Sequence, residues 1–477
     1  MKQQKVLFVV KDLTLYEPLG ILYLASSLKR AGHEARLCVA AEEDPKAAVR
    51  DFKPDVVAYH CWTGRHRYYV DLNLELKRER DFVSVFGGPH PTFFPELVSE
   101  PGVDAVCRGE GEAPFLRFLE HFGNGRAETP SFLVRDGERV VSNPMMRLDS
   151  DLDAIPFPDR EMIYSRNEYF RKRKLKYLMA GRGCPYTCSY CFNHAFNKLY
   201  DETGSRIVRK RSVDNIVAEI EWMRSNWPLE MVLFFDDIFL TTKAWLVEFS
   251  KKWRNEVGLP FIAEVVPNQI NAEVALLLKE AGCISVFMGI EAGNDDLRRG
   301  ALDRRVKRET ILDAAAALKR NGIKINSLNM VGLPGETLDM AMETVRLNRE
   351  AKIDFGWSAI FQPYPGTALA DYARENGYWD GNVEKISYTY HADTIIETRG
   401  WSPREVSNLH KLFGLAVEFP VPESVLRALI KLPLTPLYRF LYTLWYGYAI
   451  KNRISPYQTT FGEFVESVKR FFRKDEG

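Results

Sequence analysis

Two series of short apolar runs, each alternating with helix-period stretches, constrain this 477-residue chain more than any other feature. In the first series, strand-like runs fall at 5–10, 34–39, 55–59, 82–86 and 105–108, with helical periodicity at 19–31, 46–52, 68–79 and 113–122. Strands that run the same way need a crossover helix to bring the chain back. Repeated β-α units of this length therefore predict a parallel, doubly wound (Rossmann-like) sheet over residues 1–123. The second series has runs at 177–180, 231–235, 261–266, 286–290, 324–330 and 357–362, with helices at 213–226, 272–281, 308–321 and 338–351. Six units fall short of the eight that close a parallel barrel. A partial (β/α)6 barrel is expected over 177–379. Between them, 124–176 reads as a linker carrying a hairpin at 131–142, with Asp136-Gly137 as its turn and Pro156 and Pro158 suited to an extended connector. From residue 380 to 477 the rhythm stops, and 402–419 and 460–472 read as amphipathic helices. The expected fold class is α/β with a helical C-terminal region.

Composition enters mainly as exclusion. Hydrophobic residues make up 46% and charged residues 27%, the profile of a soluble globular chain. A net charge of +1 gives no electrostatic case for nucleic acid as a partner. The apolar part of MKQQKVLFVV is too short for a signal peptide, so a cytoplasmic protein is expected. Of seven cysteines, Cys38, Cys61, Cys107 and Cys283 sit in apolar segments and read as buried free thiols in a reducing compartment.

The other three, Cys184, Cys188 and Cys191, have the spacing C-x3-C-x2-C. Three thiolates can hold three irons of a [4Fe–4S] cluster and leave the fourth iron open to a ligand. The bland readings are three buried thiols or a zinc site, but zinc prefers four ligands in paired elements and no second pair exists. With Tyr190 before and Phe192 after the last cysteine, the segment resembles the signature of radical S-adenosylmethionine (SAM) enzymes. The resemblance implies that SAM chelates the open iron and is cleaved to methionine and a 5′-deoxyadenosyl radical. It also implies SAM contacts at Phe192 and at later strand ends: Asp236 and Asp237, Glu291, Gly332 and Gln362. Taken singly, such acids are more often helix caps or solvated groups. Their order downstream of the cysteines is what gives them weight.

Ligands on doubly wound sheets sit beyond the carboxyl ends of the strands, so the loops at 11–20, 60–64, 87–92 and 109–112 are the ones to read. No G-x-G-x-x-G follows the first strand, which disfavours a dinucleotide. The loops resemble those of the cobalamin-binding domain that precedes the barrel in many radical SAM enzymes. That implies cobalamin contacts at Thr14, Leu15, Trp62, Thr63, Gly64, Gly87, Gly88, Pro89, His90, Gly109, Glu110 and Gly111. The D-x-H-x-x-G motif that supplies a lower histidine to cobalt is absent after the first strand. His60 and His90 also read as loop hydrogen bonders.

The family resemblance implies three cofactors, a [4Fe–4S] cluster, SAM and cobalamin, and methyl transfer to an unactivated carbon or a phosphinate through a 5′-deoxyadenosyl radical and methylcobalamin. A non-methylating oxidative cyclase of the magnesium-protoporphyrin monomethyl ester type is the alternative, and a corrinoid carrier or sensor is the third reading. The partners expected are a small-molecule substrate and an electron donor such as flavodoxin or ferredoxin; the basic run 171–176 reads by default as a solvated face, with docking of an acidic donor as the sharper alternative. The Leu- and aromatic-rich stretch 425–450 is interrupted by Lys431, Pro433, Pro436 and Arg439, which argues against a spanning helix. Helices packed over the barrel mouth are expected there. The alternative is a face that touches a membrane or admits an apolar substrate such as a lipid, isoprenoid or tetrapyrrole.

Overall fold

The apolar runs of the first series become β1 (Lys5–Val10), β2 (Glu34–Val39), β3 (Val56–His60), β4 (Val83–Gly87) and β5 (Ala105–Cys107). All of β1 after Lys5 is buried, as in a parallel sheet covered on both faces by its crossover helices. The strand order is β2-β1-β3-β4-β5, all parallel. The chain steps out from β1 to β2 and then returns to the other side of β1 as β3. That reversal opens a crevice at the carboxyl ends of β1 and β3.

The computed structural model describes residues 2–123, 125–387, 389, 391, 393–449, 462, 466 and 470. They form two compact units, Met1–Lys172 with Phe196–Arg209, and Arg173–Ala195 with Lys210–Gly477. The hairpin read into the linker, β6 (Phe132–Asp136) and β7 (Arg139–Ser142), joins the first sheet antiparallel to β5. Phe132, Leu133 and Val134 are buried there, and β6 shields an edge that β5 would otherwise expose.

The second unit contains β8 (Leu175–Leu178), the two-residue strand β9 (Gly181–Arg182) and, beyond β10 (Arg209–Lys210), the strands β11 (Met231–Phe234), β12 (Phe261–Val265), β13 (Cys283–Glu291), β14 (Lys324–Val331) and β15 (Phe355–Ile360). Six of these pair in parallel in the order β8-β11-β12-β13-β14-β15, a sheet that does not close on itself. Alternate residues face opposite sides. Phe234 and Phe261 turn toward the helices and pack with Phe239, Phe249 and Trp253, ring centroids 4.8–5.8 Å apart. Such pairs add roughly 0.5–1.5 kcal/mol each beyond the area they bury. Glu264 and Glu291 lie on the other side, within reach of each other's charge.

The helix Pro403–Glu418 begins with a capping box between Ser402 and Glu405 and lies along β15. Its His410 meets Ser358 at 3.2 Å, and its Val417 packs on Gly356. The C-terminal helices thus cover the edge strand instead of the mouth where sequence placed them. An open barrel leaves β15 with one unpaired side, and that side needs cover. The stretch after it forms two helices, Glu423–Lys431 and Thr435–Ala449, broken where Pro433 intervenes. No helix among the described residues is long and apolar enough to cross a membrane. The amphipathic helix expected at 460–472 lies outside the described residues except for Gly462, Glu466 and Arg470.

Candidate active site

Cys184, Cys188 and Cys191 occupy the loop beyond the carboxyl end of β8, whereas Cys38, Cys61, Cys107 and Cys283 are buried free thiols. Cys191 N–H donates to Cys188 O at 3.1 Å, closing a turn between the last two ligand positions. Burial first, with the neighbouring thiols of the loop adding to it, pushes Cys184 up to about 11 and Cys191 up to about 12. Thiols raised in this way, as Cys184 and Cys191 are, need nearby positive charge to become thiolates, and bound iron would supply it. Among the described residues no three His, Cys, Asp or Glu side chains lie close enough to share one metal ion. A cubane keeps its thiolates on separate irons. Three thiols on one loop, close enough to act on one another's charge, are a donor set that fits such a cluster.

Groups far away in sequence hold this loop. Asp237 accepts from Gly183 N–H at 3.0 Å and from Asn193 Nδ2 at 2.9 Å, bracketing the cysteines on both sides. Ser189 N–H donates to Leu302 O at 3.0 Å, and Thr187 Oγ1 donates to Asp303 at 3.2 Å. The buried Arg304 reaches Cys188 Sγ at 3.7 Å, Tyr190 Oη at 3.3 Å and Gly289 O at 2.7 Å.

The acids expected around SAM divide into different kinds. Asp236 lies two residues beyond β11, and both of its oxygens are engaged: it accepts from Ala180 N–H and from Lys210 Nζ, each at 2.9 Å. Burial pulls both members of that pair toward neutrality, Asp236 upward and Lys210 downward. Asp237, one residue on, is exposed. Glu291 has a left-handed backbone (φ +68°) beside a register shift in β13, a device that re-aims a side chain at a strand end. Burial raises its carboxyl above the usual range, opposed by Arg304 and by a hydrogen bond to Tyr190. Gly332 N–H donates to Glu336 at 2.7 Å, so the 332–336 loop wraps a buried carboxyl that burial pushes to about 8. Gln362 is tied to Ser387 N–H at 3.3 Å and to Asp393 O at 3.4 Å. Phe192 rests against Tyr364, centroids 5.5 Å apart.

In the first unit the strand order brings the loops at 12–15, 62–64, 87–90 and 109–111 to the carboxyl ends of the neighbouring strands β1, β3, β4 and β5. Trp62 is 51% exposed, and Thr14, Leu15, Gly87, Pro89 and Gly111 are half-buried. Gly64 takes φ +87° and Gly88 φ +100°. A Cβ on Gly88 would lie 2.5 Å from the His60 ring. His90 is committed to the protein: Nδ1 meets Thr63 Oγ1 at 3.0 Å, and the ring stacks on His66 at 4.1 Å and on Phe94 at 4.8 Å. Burial lowers it to about 3, so it is a neutral loop hydrogen bonder and not a ligand poised for a metal. Glu110 pairs with Arg209, and its N–H donates to Tyr200 Oη at 3.0 Å. Gly109 has φ +75°, and a Cβ there would fall 1.9 Å from Tyr200 Oη. Gly109→Ala is therefore expected to displace Tyr200 and lower the stability of this unit by about 1–3 kcal/mol, read as an earlier urea midpoint, with weaker cobalamin binding. Gly137→Ala, at a hairpin turn with open space around it, is the milder control.

Sequence reasoning missed Arg304, Lys210 and Glu264. The two cations sit in ordinary charged runs, and nothing local marks them. Glu264 did carry a signal, a lone acid in the apolar strand Phe-Ile-Ala-Glu-Val. Burial and then the charges of Asp237, Asp236 and Glu291 push its carboxyl to about 8, with no cation among those neighbours. The basic run 171–176 does not form one face: Lys172 pairs with Glu168, Lys174 with Glu230, and Lys176 is buried in β8.

Comparison with known proteins matches residues 178–347 to the radical SAM superfamily and residues 6–119 to the B12 binding domain. An uncharacterized methyltransferase of Pyrococcus horikoshii is 27% identical over 398 residues, covering 79% of this chain and 84% of its own. The anaerobic magnesium-protoporphyrin IX monomethyl ester cyclase of Rubrivivax gelatinosus is 28% identical over 376 residues, covering 74% of this chain and 66% of the cyclase. The solved structure of the radical SAM methyltransferase TsrM from Kitasatospora setae, with cobalamin and a [4Fe–4S] cluster bound, shares the fold. Its TM-score is 0.67 at 16% identity, over 100% of this chain and 99% of that one. The cofactors that accompany these two domains are a [4Fe–4S] cluster, SAM and cobalamin. With both domains in one polypeptide and the three-cysteine loop at the head of the second, the chain belongs to the B12-binding radical SAM enzymes.

Proposed function

We propose that this enzyme transfers a methyl group to an unactivated carbon, or a phosphinate, of a small apolar molecule such as a lipid, isoprenoid or tetrapyrrole. The observation that carries the reading is the pairing of a B12 binding domain with a radical-generating domain, in a chain similar to a methyltransferase over 79% of its length. When bound, the cluster supplies the electron that opens SAM to a carbon-centred radical, and cobalamin supplies a metal that carries methyl groups. Residues 1–123 would serve cobalamin and residues 177–379 the cluster and SAM.

The chain's own residues bind and orient. Cys184, Cys188 and Cys191 would hold three irons, and Asp237 keeps their loop in register through Gly183 and Asn193. Glu291, re-aimed by the bulge in β13, would accept from SAM hydroxyl or ammonium groups. Burial, and then the neighbouring carboxyls of Asp237, Asp236 and Glu291, push Glu264 to about 8, which favours its protonated form beside those acids. An external electron donor would reduce the cluster.

The similarity to the cyclase supports a second reading, radical chemistry that leaves no methyl product. One experiment separates the two. The protein is reconstituted without oxygen with iron, sulfide and cobalamin, then given SAM and a strong reductant. S-adenosylhomocysteine and 5′-deoxyadenosine are measured by mass spectrometry, with and without cobalamin. Cobalamin-dependent S-adenosylhomocysteine is expected. 5′-Deoxyadenosine alone would move the assignment to the cyclase-like reaction.

A further inference from the structure

The helix Thr435–Ala449 presents one apolar face to the barrel and a second apolar stripe that is exposed. Tyr438, Tyr442, Trp445 and Ala449 are buried. Trp445 stacks on Phe355 at 4.6 Å and its Nε1 donates to Glu418 at 2.7 Å, while Tyr438 Oη donates to Leu429 O at 2.9 Å. The helix is thus firmly seated on the edge of the barrel. A second face, turned about 110° from the first at 3.6 residues per turn, carries Leu437, Phe440, Leu441 and Leu444, with Leu434 just before the helix, each 38–58% exposed. Their spacing of three, four and seven residues makes one continuous stripe. A stripe of this size facing outward marks an interaction surface.

The charges around it say what it meets. Among the described residues from 424 to 449 the chain holds Arg427, Lys431 and Arg439 and no acidic residue. Arg427 is answered by Glu423 and Asp339. Lys431 and Arg439 are exposed, with no ion pair among the described residues. A second copy docking here by a two-fold axis would set this acid-free basic stretch against itself. An anionic lipid surface answers both features, taking the stripe into the acyl boundary and the cations at the headgroups. We infer that this face is a monotopic docking surface that seats the enzyme on anionic membranes. The helix lies in the interface and does not span it. The inference is independent of which reaction the enzyme performs.

The test is flotation of the full chain with vesicles of phosphatidylcholine alone or mixed with phosphatidylglycerol. The wild type is expected to float with the anionic vesicles, less so as salt rises, and to remain in the aqueous phase with neutral ones. Leu437→Ser/Phe440→Ser/Leu444→Ser is expected to weaken binding about tenfold or more, with unchanged circular dichroism and unchanged 5′-deoxyadenosine formation. Lys431→Glu/Arg439→Glu, which alters only exposed charges and leaves the apolar face intact, is expected to remove the preference for anionic lipid, and it carries the test should the triple variant fold poorly. Three outcomes would overturn the inference: no flotation of the wild type, equal flotation on both vesicles, or a dimer in sedimentation that the triple variant abolishes while vesicle binding is absent.

Discussion

Replacing any one of Cys184, Cys188 and Cys191 by alanine is expected to abolish 5′-deoxyadenosine formation while leaving cobalamin binding at the wild-type level. Each thiolate anchors one iron, and a cube held by two ligands is labile. The loss should therefore be complete and not graded. Iron and sulfide content and the electron paramagnetic resonance signal of the reduced protein should fall together with turnover. The control is Cys283→Ala, a buried free thiol on β13. Its loss leaves a small cavity, costs about 1–2 kcal/mol, and should leave the cluster signal intact. A Cys188→Ala protein that keeps its cluster and its turnover would remove these residues from the ligand set. A wild type that binds corrinoid but never cleaves SAM would revive the carrier reading.

Asp236→Ala should be the most destabilising single change near the site. Lys210 and Asp236 are buried together, 2.9 Å apart. The Lys210 ammonium also lies over the rings of Phe239 at 5.0 Å and Trp245 at 4.6 Å. Removing the carboxylate leaves a buried cation without its counter-ion, which costs about 3–5 kcal/mol. Lys210→Met should cost a similar amount from the other side. The double variant Asp236→Ala/Lys210→Met should recover much of the loss, because removing both charges removes the uncompensated one. Urea midpoints read the stability, and equilibrium binding of SAM to the folded fraction reads the site. SAM affinity that collapses in Asp236→Asn while stability is unchanged would return Asp236 to the ligands.

Those two expectations mark where the sequence was legible. The cysteine triplet spans eight positions and is read locally, since its spacing alone selects a three-iron donor set. The residues that support it are not local. Arg304 reaches Cys188 across 116 residues, and Asp237 reaches Gly183 across 54. In a linear reading Arg304 is an ordinary charged residue, and Asp237 reads as a SAM contact and not as a support of the cysteine loop. The adjacent acids Asp236 and Asp237 show the same limit at its sharpest. The sequence presents them as one acidic strand end, but the chain bends just past β11 and buries the first while leaving the second exposed. One is consumed by Lys210 and the other holds the cluster loop.

What the amino-acid sequence determined by itself was the alternation of strands and helices and the doubly wound sheet followed by an incomplete barrel; the same short-range spacing singled out the three thiols proposed to hold iron. Backbone periodicity and short-range spacing set those features, and they act within a window of one or two elements. Only the tertiary structure decided which acids keep a free carboxylate, that His90 is neutral and stacked, that the hairpin completes the first sheet, and that the C-terminal helices cover an edge strand instead of a mouth. These outcomes depend on which distant group fills the space opposite a side chain. Burial makes each such pairing strongly favoured once formed, but no local pattern announces it.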